Sequence, residues 1–277
     1  MGPPRPEAGP EGLGWHDLAD LRAVYVIWYR EMLRLRRDRV RLIGQLVSPL
    51  LFLVVFGVGL TRAMGVFGGG ANFTQFLFPG LLGMTVLLSA FTSGVSVVWE
   101  REVGFLKEVL VAPVSRASIV IGKTLGGATL ALTQGALMLA LAPLLGIRLS
   151  PGLVLGLLPL MFLLAGSLGA MGVLLASRMR TMEGFFVINQ MVVMPMVFLS
   201  GVFFPVGREL PAWLGVVVRI NPVAYGVDSV RQLMLGGTVP PLTLFGHPMT
   251  IWQDAVVVAL FGLLMVALAI RSFNRTE

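Results

Sequence analysis

Residues 76–123 read FLFPGLLGMTVLLSAFTSGVSVVWEREVGFLKEVLVAPVSRASIVIGK: 23 residues without a charge, then a charged segment opening at Trp99, then apolar sequence again. About 20 apolar residues cross the ~30 Å hydrocarbon core of a bilayer as a helix. Residues 76–98 are therefore read as a membrane span and the charged segment as a connection on one side of the membrane. On either side of this stretch, runs of similar length occur at about 42–60, 124–147, 152–176, 185–204 and 252–270, so six spans are expected. The expected fold class is an all-α polytopic membrane protein.

Composition supports a bilayer as the solvent. Of 277 residues, 56% are hydrophobic and 13% charged, against roughly 25% charged in a soluble domain. The length leaves no room for a soluble enzyme domain beside six spans. With no cysteine, disulfides and thiolate metal sites are excluded. His16 and His247 are too few for a histidine metal site. Residues 1–14 are rich in Gly, Pro and Glu and lack an apolar core, so a flexible tail is expected through residue 16, not a cleavable signal. Residues 17–277 are expected to form one membrane domain.

Basic residues set the expected orientation, because positively charged loops are retained in the cytoplasm. With both termini inside, eight basic residues precede the first span and four, two and two follow on the same side, which is 16 of the 21. This bias accounts for the net charge of +7 without nucleic acid, since anionic headgroups can balance it.

Two inner segments exceed what a connection needs. Over residues 17–39, Leu18, Leu21, Tyr25, Trp28, Met32 and Leu35 recur at three and four residues, with Arg30, Arg34 and Arg37 on another face. That pattern predicts an amphipathic helix lying in the membrane plane; a basic flank that only fixes topology is the plainer reading. In residues 99–123, Trp99, Val103, Leu106 and Leu110 share a face, and Glu100, Arg101, Lys107 and Glu108 are polar. A short amphipathic helix is expected before a break at Pro113, with Ser115 capping the next span. Such a surface suits another protein that pushes on it.

Several chemistries are missing. Gly122-Lys123-Thr124 resembles the end of a phosphate-binding loop, but position 117 is Ala where the pattern needs Gly, and residues 118–121 are mostly apolar. Lys123 is read instead as an anchor at the mouth of the third span. No ionisable residue lies deep in a span, Asp254 being at the outer end of the last, so a gradient-driven relay is absent. No catalytic constellation is expected, and the chain is read as non-enzymatic.

What the spans do carry is hydroxyls, amides and glycines. Thr85, Ser89, Thr92 and Ser96 form one stripe on the second span, and Asn189 lies in the fifth. These either bond between helices or form the mildly polar wall of a path for an amphipathic substrate. Gly166, Gly169 and Gly172, like Gly122 and Gly126, are expected at close helix contacts. Beyond the fifth span, apolar runs at 210–218 and 223–235 flank Asn221-Pro222, a turn signal. A hairpin re-entering the outer leaflet is expected, with its turn wet.

The blocks Glu100-Arg101-Glu102, Gly104-Phe105-Leu106-Lys107-Glu108, Val111-Ala112-Pro113-Val114-Ser115-Arg116 and Gly122-Lys123 resemble the cytoplasmic loop of permease subunits of type 2 ABC exporters, in the branch of daunorubicin-resistance and nodulation-factor exporters. A second block is similar to the same family's region before the last span: Leu199-Ser200-Gly201-Val202-Phe203-Phe204-Pro205, then Leu210-Pro211, Asn221-Pro222, Tyr225, Asp228 and Arg231. The resemblance covers nearly everything after residue 20. It implies a half-transporter in the plasma membrane of a bacterium. Two copies would form the pathway for a hydrophobic drug, lipid or lipid-linked glycan, driven by separate ATPase subunits that hold the ATP and Mg. It also implies that residues 100–112 are the coupling helix, so that Glu100, Arg101, Glu102, Lys107, Glu108, Pro113, Ser115 and Arg116 face or position the ATPase. Membrane lipids and a second copy are the other expected partners, with no nucleic acid. A scaffold without transport and a gradient-driven carrier are the competing classes.

Overall fold

The uncharged run around Phe76 becomes two collinear helices, α3 (Phe73–Phe91) and α4 (Ser93–Glu102), with α1 (Trp15–Arg37) and α2 (Arg39–Phe52) before them. The computed structural model describes residues 15–37, 39–59, 73–104, 114–204, 206, 211–244 and 246–275. After α4 come α5 (Arg116–Leu141), α6 (Pro151–Arg178), α7 (Met182–Phe198), the shorter α8 (Ala212–Ile220) and α9 (Pro222–Leu235), and α10 (Ile251–Arg275). A two-residue antiparallel ladder pairs Thr243 with Pro248 and Leu244 with His247.

Among the described residues, four helices are long and apolar enough to cross a membrane: Phe73–Glu102, Arg116–Leu144, Pro151–Arg178 and Ile251–Arg275. They coincide with the runs expected at 76–98, 124–147, 152–176 and 252–270. The run at 42–60 falls on α2 and a π-helical turn at Leu53–Val58; Leu18–Arg37 and Leu42–Gly57 meet at 72°, so this pair makes a fifth span only if the bend is counted within it. The run at 185–204 yields only the 17 residues of α7. Leu199 N–H and Ser200 N–H close on the carbonyls of Pro195 and Val197, and Gly201, at φ 75°, turns the chain away.

The core is organised around α3 and α6. α3 is the most enclosed span, with 78% of its apolar window buried against 28% for α10, so α10 presents most of its surface outward. α6 packs against α3, α4, α5, α9 and α10. Small residues set these approaches: a Cβ at Gly172 would lie 2.5 Å from the Phe91 carbonyl oxygen, so α3 and α6 touch backbone to backbone. Gly122 and Gly126 admit α1 onto α5, where their Cβ atoms would meet Ile27 and Glu31 at 2.9 and 2.8 Å. Gly169 makes only ordinary contacts, and a Cβ on Gly166 would meet nothing within 4 Å, so Gly166 is no helix contact.

On α1, the face against α5 is built by Val24, Ile27, Trp28 and Glu31, and Trp28 Nε1–H donates to Thr129 Oγ1 at 3.0 Å. Leu18, Leu21 and Tyr25 remain exposed. They form an apolar stripe left uncovered among the described residues.

Candidate functional site

The charged segment after the span Phe73–Glu102 begins inside the fold. Glu100 lies in the last turn of α4 and is 3% exposed. Its Oε1 accepts from Lys123 Nζ of α5 at 2.7 Å and from Arg30 of α1. Lys123, equally buried, also reaches Glu31 Oε1 at 3.0 Å and Ser96 Oγ at 3.1 Å. Arg34 closes the cluster, 4.0 Å from Glu31 Oε2 with its guanidinium 5.4 Å above the Trp99 ring. Burial raises the Glu31 pKa, but the charge and hydrogen bond of Lys123, then Arg34 and Arg30, outweigh it and hold the carboxyl below its ordinary value. Glu100 therefore fastens α4 to α1 and α5, with its head group directed inward.

The neighbouring residues act as caps. Arg101 donates to the carbonyls of Met179 (2.7 Å) and Ser177 (2.8 Å), satisfying the C-terminal end of α6. Glu102 Oε1 accepts from Met182 N–H at 2.9 Å at the first turn of α7, where Thr181 Oγ1 accepts from Gly184 N–H. The chain then turns at Gly104, whose φ of 80° suits glycine. Residues 100–102 thus extend the span helix and do not start a separate one. Lys107, Glu108 and Pro113 lie outside the described residues. Where the chain is next described, Ser115 Oγ caps α5 by accepting from Ser118 N–H, as its sequence position predicts. Ser115 N–H donates to Asp20 Oδ1 (2.9 Å), and Arg116 Nη1 donates to the Phe273 carbonyl at the end of α10 (2.8 Å). Both ends of the charged segment are thereby tied into the bundle, reaching α1, α5, α6, α7 and α10 between them.

The polar stripe of the second span divides. Thr85 and Ser89 are buried: Thr85 Oγ1 donates to the Leu81 carbonyl and approaches Met138 Sδ, and Ser89 bonds to Gln134, which bonds to Gln45. Thr92 and Ser96 satisfy their hydroxyls on the Ser89 and Ser93 carbonyls and line a cavity of about 260 Å³ with Glu31, Arg34, Trp99 and Gly126. The structure brings these two together with the ion cluster and leaves Thr85 and Ser89 in helix packing. Asn189 sits on α7, its Oδ1 buried and without a hydrogen bond among the described residues.

At the opposite end, Asn221 caps α9, its Oδ1 accepting from Val223 N–H at 3.1 Å, with Pro222 in the first helical position. Its Nδ2 donates to the Met196 carbonyl of α7 at 2.7 Å. Asn221 is 7% exposed although Ile220 beside it is 77% exposed, so the side chain at the turn is enclosed rather than wet; the last turn of α7 covers it through that carbonyl. Beyond the cap, α9 carries a polar network that the sequence pattern did not reveal. Asp228 Oδ2 accepts from Leu242 N–H (2.8 Å) and Gln232 Nε2 (2.9 Å), and Gln232 also reaches Asp254 Oδ2 (3.0 Å). Arg231 lies buried above the Phe76 ring, 4.3 Å from its centroid, donating to the Gly201 carbonyl. The family-like spacing of Asp228 and Arg231 was the only signal, and it did not disclose Asp254 as their neighbour.

Fold and site define a multi-pass helical membrane protein whose charged segment is anchored into the bundle at both ends. The chain matches the family of ABC-2 type transporters over residues 22–235 and belongs to that family. It is 27% identical to the transport permease ycf38 of Cyanophora paradoxa over 256 residues, covering 88% of this chain and 86% of that one. It is 28% identical to nodulation protein J of Rhizobium leguminosarum bv. trifolii over 229 residues (82% and 83%). It is 29% identical to the inner membrane transport permease YadH of Escherichia coli K12 over 235 residues (81% and 88%). The chain is thus the transmembrane subunit of an ABC transporter, and the family implies an ABC ATPase as its partner.

Proposed function

We propose that this subunit forms, as a homodimer, the translocation pathway of an exporter that moves a hydrophobic drug, lipid or lipid-linked glycan outward across a bacterial plasma membrane. ATP and Mg are held by separate ATPase subunits, and this chain supplies no catalytic group. The observation that carries the reading is the double anchorage of the segment between Glu100 and Arg116. Displacement of that segment is transmitted through Glu100–Lys123 to α1 and α5, through Arg101 and Glu102 to α6 and α7, and through Arg116 to α10. A subunit that only bridges other proteins has no need of such transmission.

In this reading residues 17–277 are one permease domain of six spans, α2 and α7 included, with both termini cytoplasmic. α1 lies at the inner interface with Leu18, Leu21 and Tyr25 toward lipid, and α8–α9 form the outer re-entrant hairpin. Lys107, Glu108 and Pro113 contribute to the ATPase contact, and the pathway runs between copies of the second and fifth spans, near Thr92, Ser96 and Asn189. Purified alone, the chain is expected to hydrolyse no ATP; prepared in mild detergent from cells, it brings an ATPase subunit with it. In proteoliposomes the complex gives ATP-dependent substrate movement, whereas uphill movement without ATP, or no partner and no coupling, would overturn the proposal.

A further inference from the structure

The ends of α4, α6 and α10 enclose a cavity of about 410 Å³ lined by Arg101, Ser177, Arg178, Arg180, Ser272 and Arg275. Four of its six lining residues are arginines and none is acidic. Among the described residues no carboxylate forms an ion pair with any of these four. Of the two acidic residues that flank Arg101 in the chain, Glu100 pairs with Lys123 and Arg30 and Glu102 accepts from Met182 N–H. Arg101 is held in place by the Ser177 and Met179 carbonyls, and Ser177 Oγ donates to Ser272 Oγ at 2.7 Å, so the floor is ordered. Arg178, Arg180 and Arg275 are exposed around it. Guanidinium groups crowded around one concavity repel each other until an anion occupies it, and their planar donors match phosphate oxygens.

We propose that this cavity is a binding site for a phosphate ester, supplied by the headgroup of an anionic phospholipid. Its position argues for the lipid source. The cavity lies where three apolar helices end, which is the headgroup level of a bilayer. On α10, Arg275 shares a helical stripe with Leu268 and Leu264, seven and eleven residues earlier, and both leucines are exposed. A phosphate among the arginines therefore has an apolar track on which its acyl chains can lie. The site does not depend on the transport reading, because lipid binding is measured without ATPase or substrate.

The test is native mass spectrometry of the full chain in neutral detergent, titrated with dioleoylphosphatidylglycerol or dioleoylphosphatidylcholine. The chain is expected to bind the anionic lipid at least tenfold more tightly. The variant R178A/R180A/R275A loses that preference, and R178K/R180K/R275K recovers part of it. R22A/R36A/R37A removes the same charge from exposed positions on α1 and keeps the preference. Equal loss in both alanine triples, or none in either, would overturn the site, the first by reducing it to a diffuse field. Glycerol 3-phosphate separates the sources: failure to displace the lipid supports the headgroup, and displacement at comparable concentration overturns the lipid source in favour of a soluble ester. Loss of ATPase co-purification in the first triple with lipid binding intact would make the surface a protein contact and overturn the proposal.

Discussion

Lys123 and Glu100 stand 23 residues apart in the chain and meet 2.7 Å apart inside the bundle, both side chains at most 4% exposed. The pair joins the last turn of one span to the second turn of the next, across the charged segment between them. A buried pair contributes little net stability as a pair, but removing one partner leaves a charge without solvent or counter-charge. Lys123→Ala is expected to lower stability by about 3–5 kcal/mol, read as a fall in unfolding temperature in detergent. Adding Glu100→Gln should restore part of the loss, because it removes one of the stranded charges and leaves Arg30, which is half exposed, to water. Additive losses in the double variant would mean that the two residues do not act as a unit.

Glu31 gives the cluster a pH signature. Its carboxyl is held below its ordinary 4.5, so its contribution to stability is present above that value and is lost as pH falls through the lower folded value. Between pH 6 and 8 this contribution is flat, so stability measured across that window should not respond to Glu31. On acidification below about pH 4.5 the wild type should lose stability more steeply than Glu31→Gln. Parallel acid limbs for the two proteins would exclude Glu31 as the source of the acid response.

Charge reversal separates docking from folding in the segment proposed to contact the ATPase. Glu102→Lys removes both a negative charge and the acceptor of Met182 N–H, a bond worth about 1 kcal/mol, whereas Glu102→Gln keeps an acceptor and removes only the charge. Co-purification with the ATPase should fall in Glu102→Lys and Glu108→Lys, and fall less in Glu102→Gln. All three should insert normally. Docking of the wild type should also weaken with salt, since exposed ion pairs are screened. Full ATPase recovery in both lysine variants would take these carboxylates out of the contact.

Four spans were legible because an apolar run of the right length is a local property: 76–98, 124–147, 152–176 and 252–270 each reappear as one long helix or a collinear pair. The cap at Ser115 was legible too, since it acts within three residues of itself, whereas Asn221-Pro222 is legible as a turn but not as the cap of α9 that it forms. What could not be read was pairing at a distance. Glu31 and Lys123 are 92 residues apart, and nothing in either neighbourhood names the other. For the same reason the enclosure of Glu100 and Asp254 is invisible in the sequence, which places the first in a polar segment and the second at the outer end of a span, although the fold buries both. The end of α7 is hidden differently: residues 199–204 are apolar enough to continue a helix, and it is the closing bonds of Leu199 and Ser200, followed by the positive φ of Gly201, that stop it.

Asn221 is expected to be the most sensitive point of the α8–α9 hairpin. Asn221→Ala loses the cap on α9 and the bond to Met196, at a cost of about 1–2 kcal/mol. Asn221→Asp keeps the capping oxygen but cannot donate to that carbonyl, so it should fall between alanine and wild type. Limited proteolysis of the 205–250 region reads the difference directly. Equal protection in all three proteins would show that the hairpin is held by its apolar faces alone.

Two glycines on α6, six residues apart, should behave oppositely. A methyl on Gly172 would approach the Phe91 carbonyl oxygen to 2.5 Å, and that atom is backbone at the junction of α3 and α4, so it can yield only by moving the helix. Gly172→Ala should therefore destabilise by about 1–3 kcal/mol, as overpacking does, and under the proposed function should also impair ATPase coupling, because α4 carries Glu100, Arg101 and Glu102. A methyl on Gly166 meets nothing within 4 Å, and replacing a mid-helix glycine by alanine gains up to about 1 kcal/mol of helix propensity. Gly166→Ala should be neutral or stabilising. Unfolding temperatures of the two single variants, measured side by side, decide the matter: if Gly172→Ala is silent while Gly166→Ala is damaging, α3 and α6 do not meet along the line described.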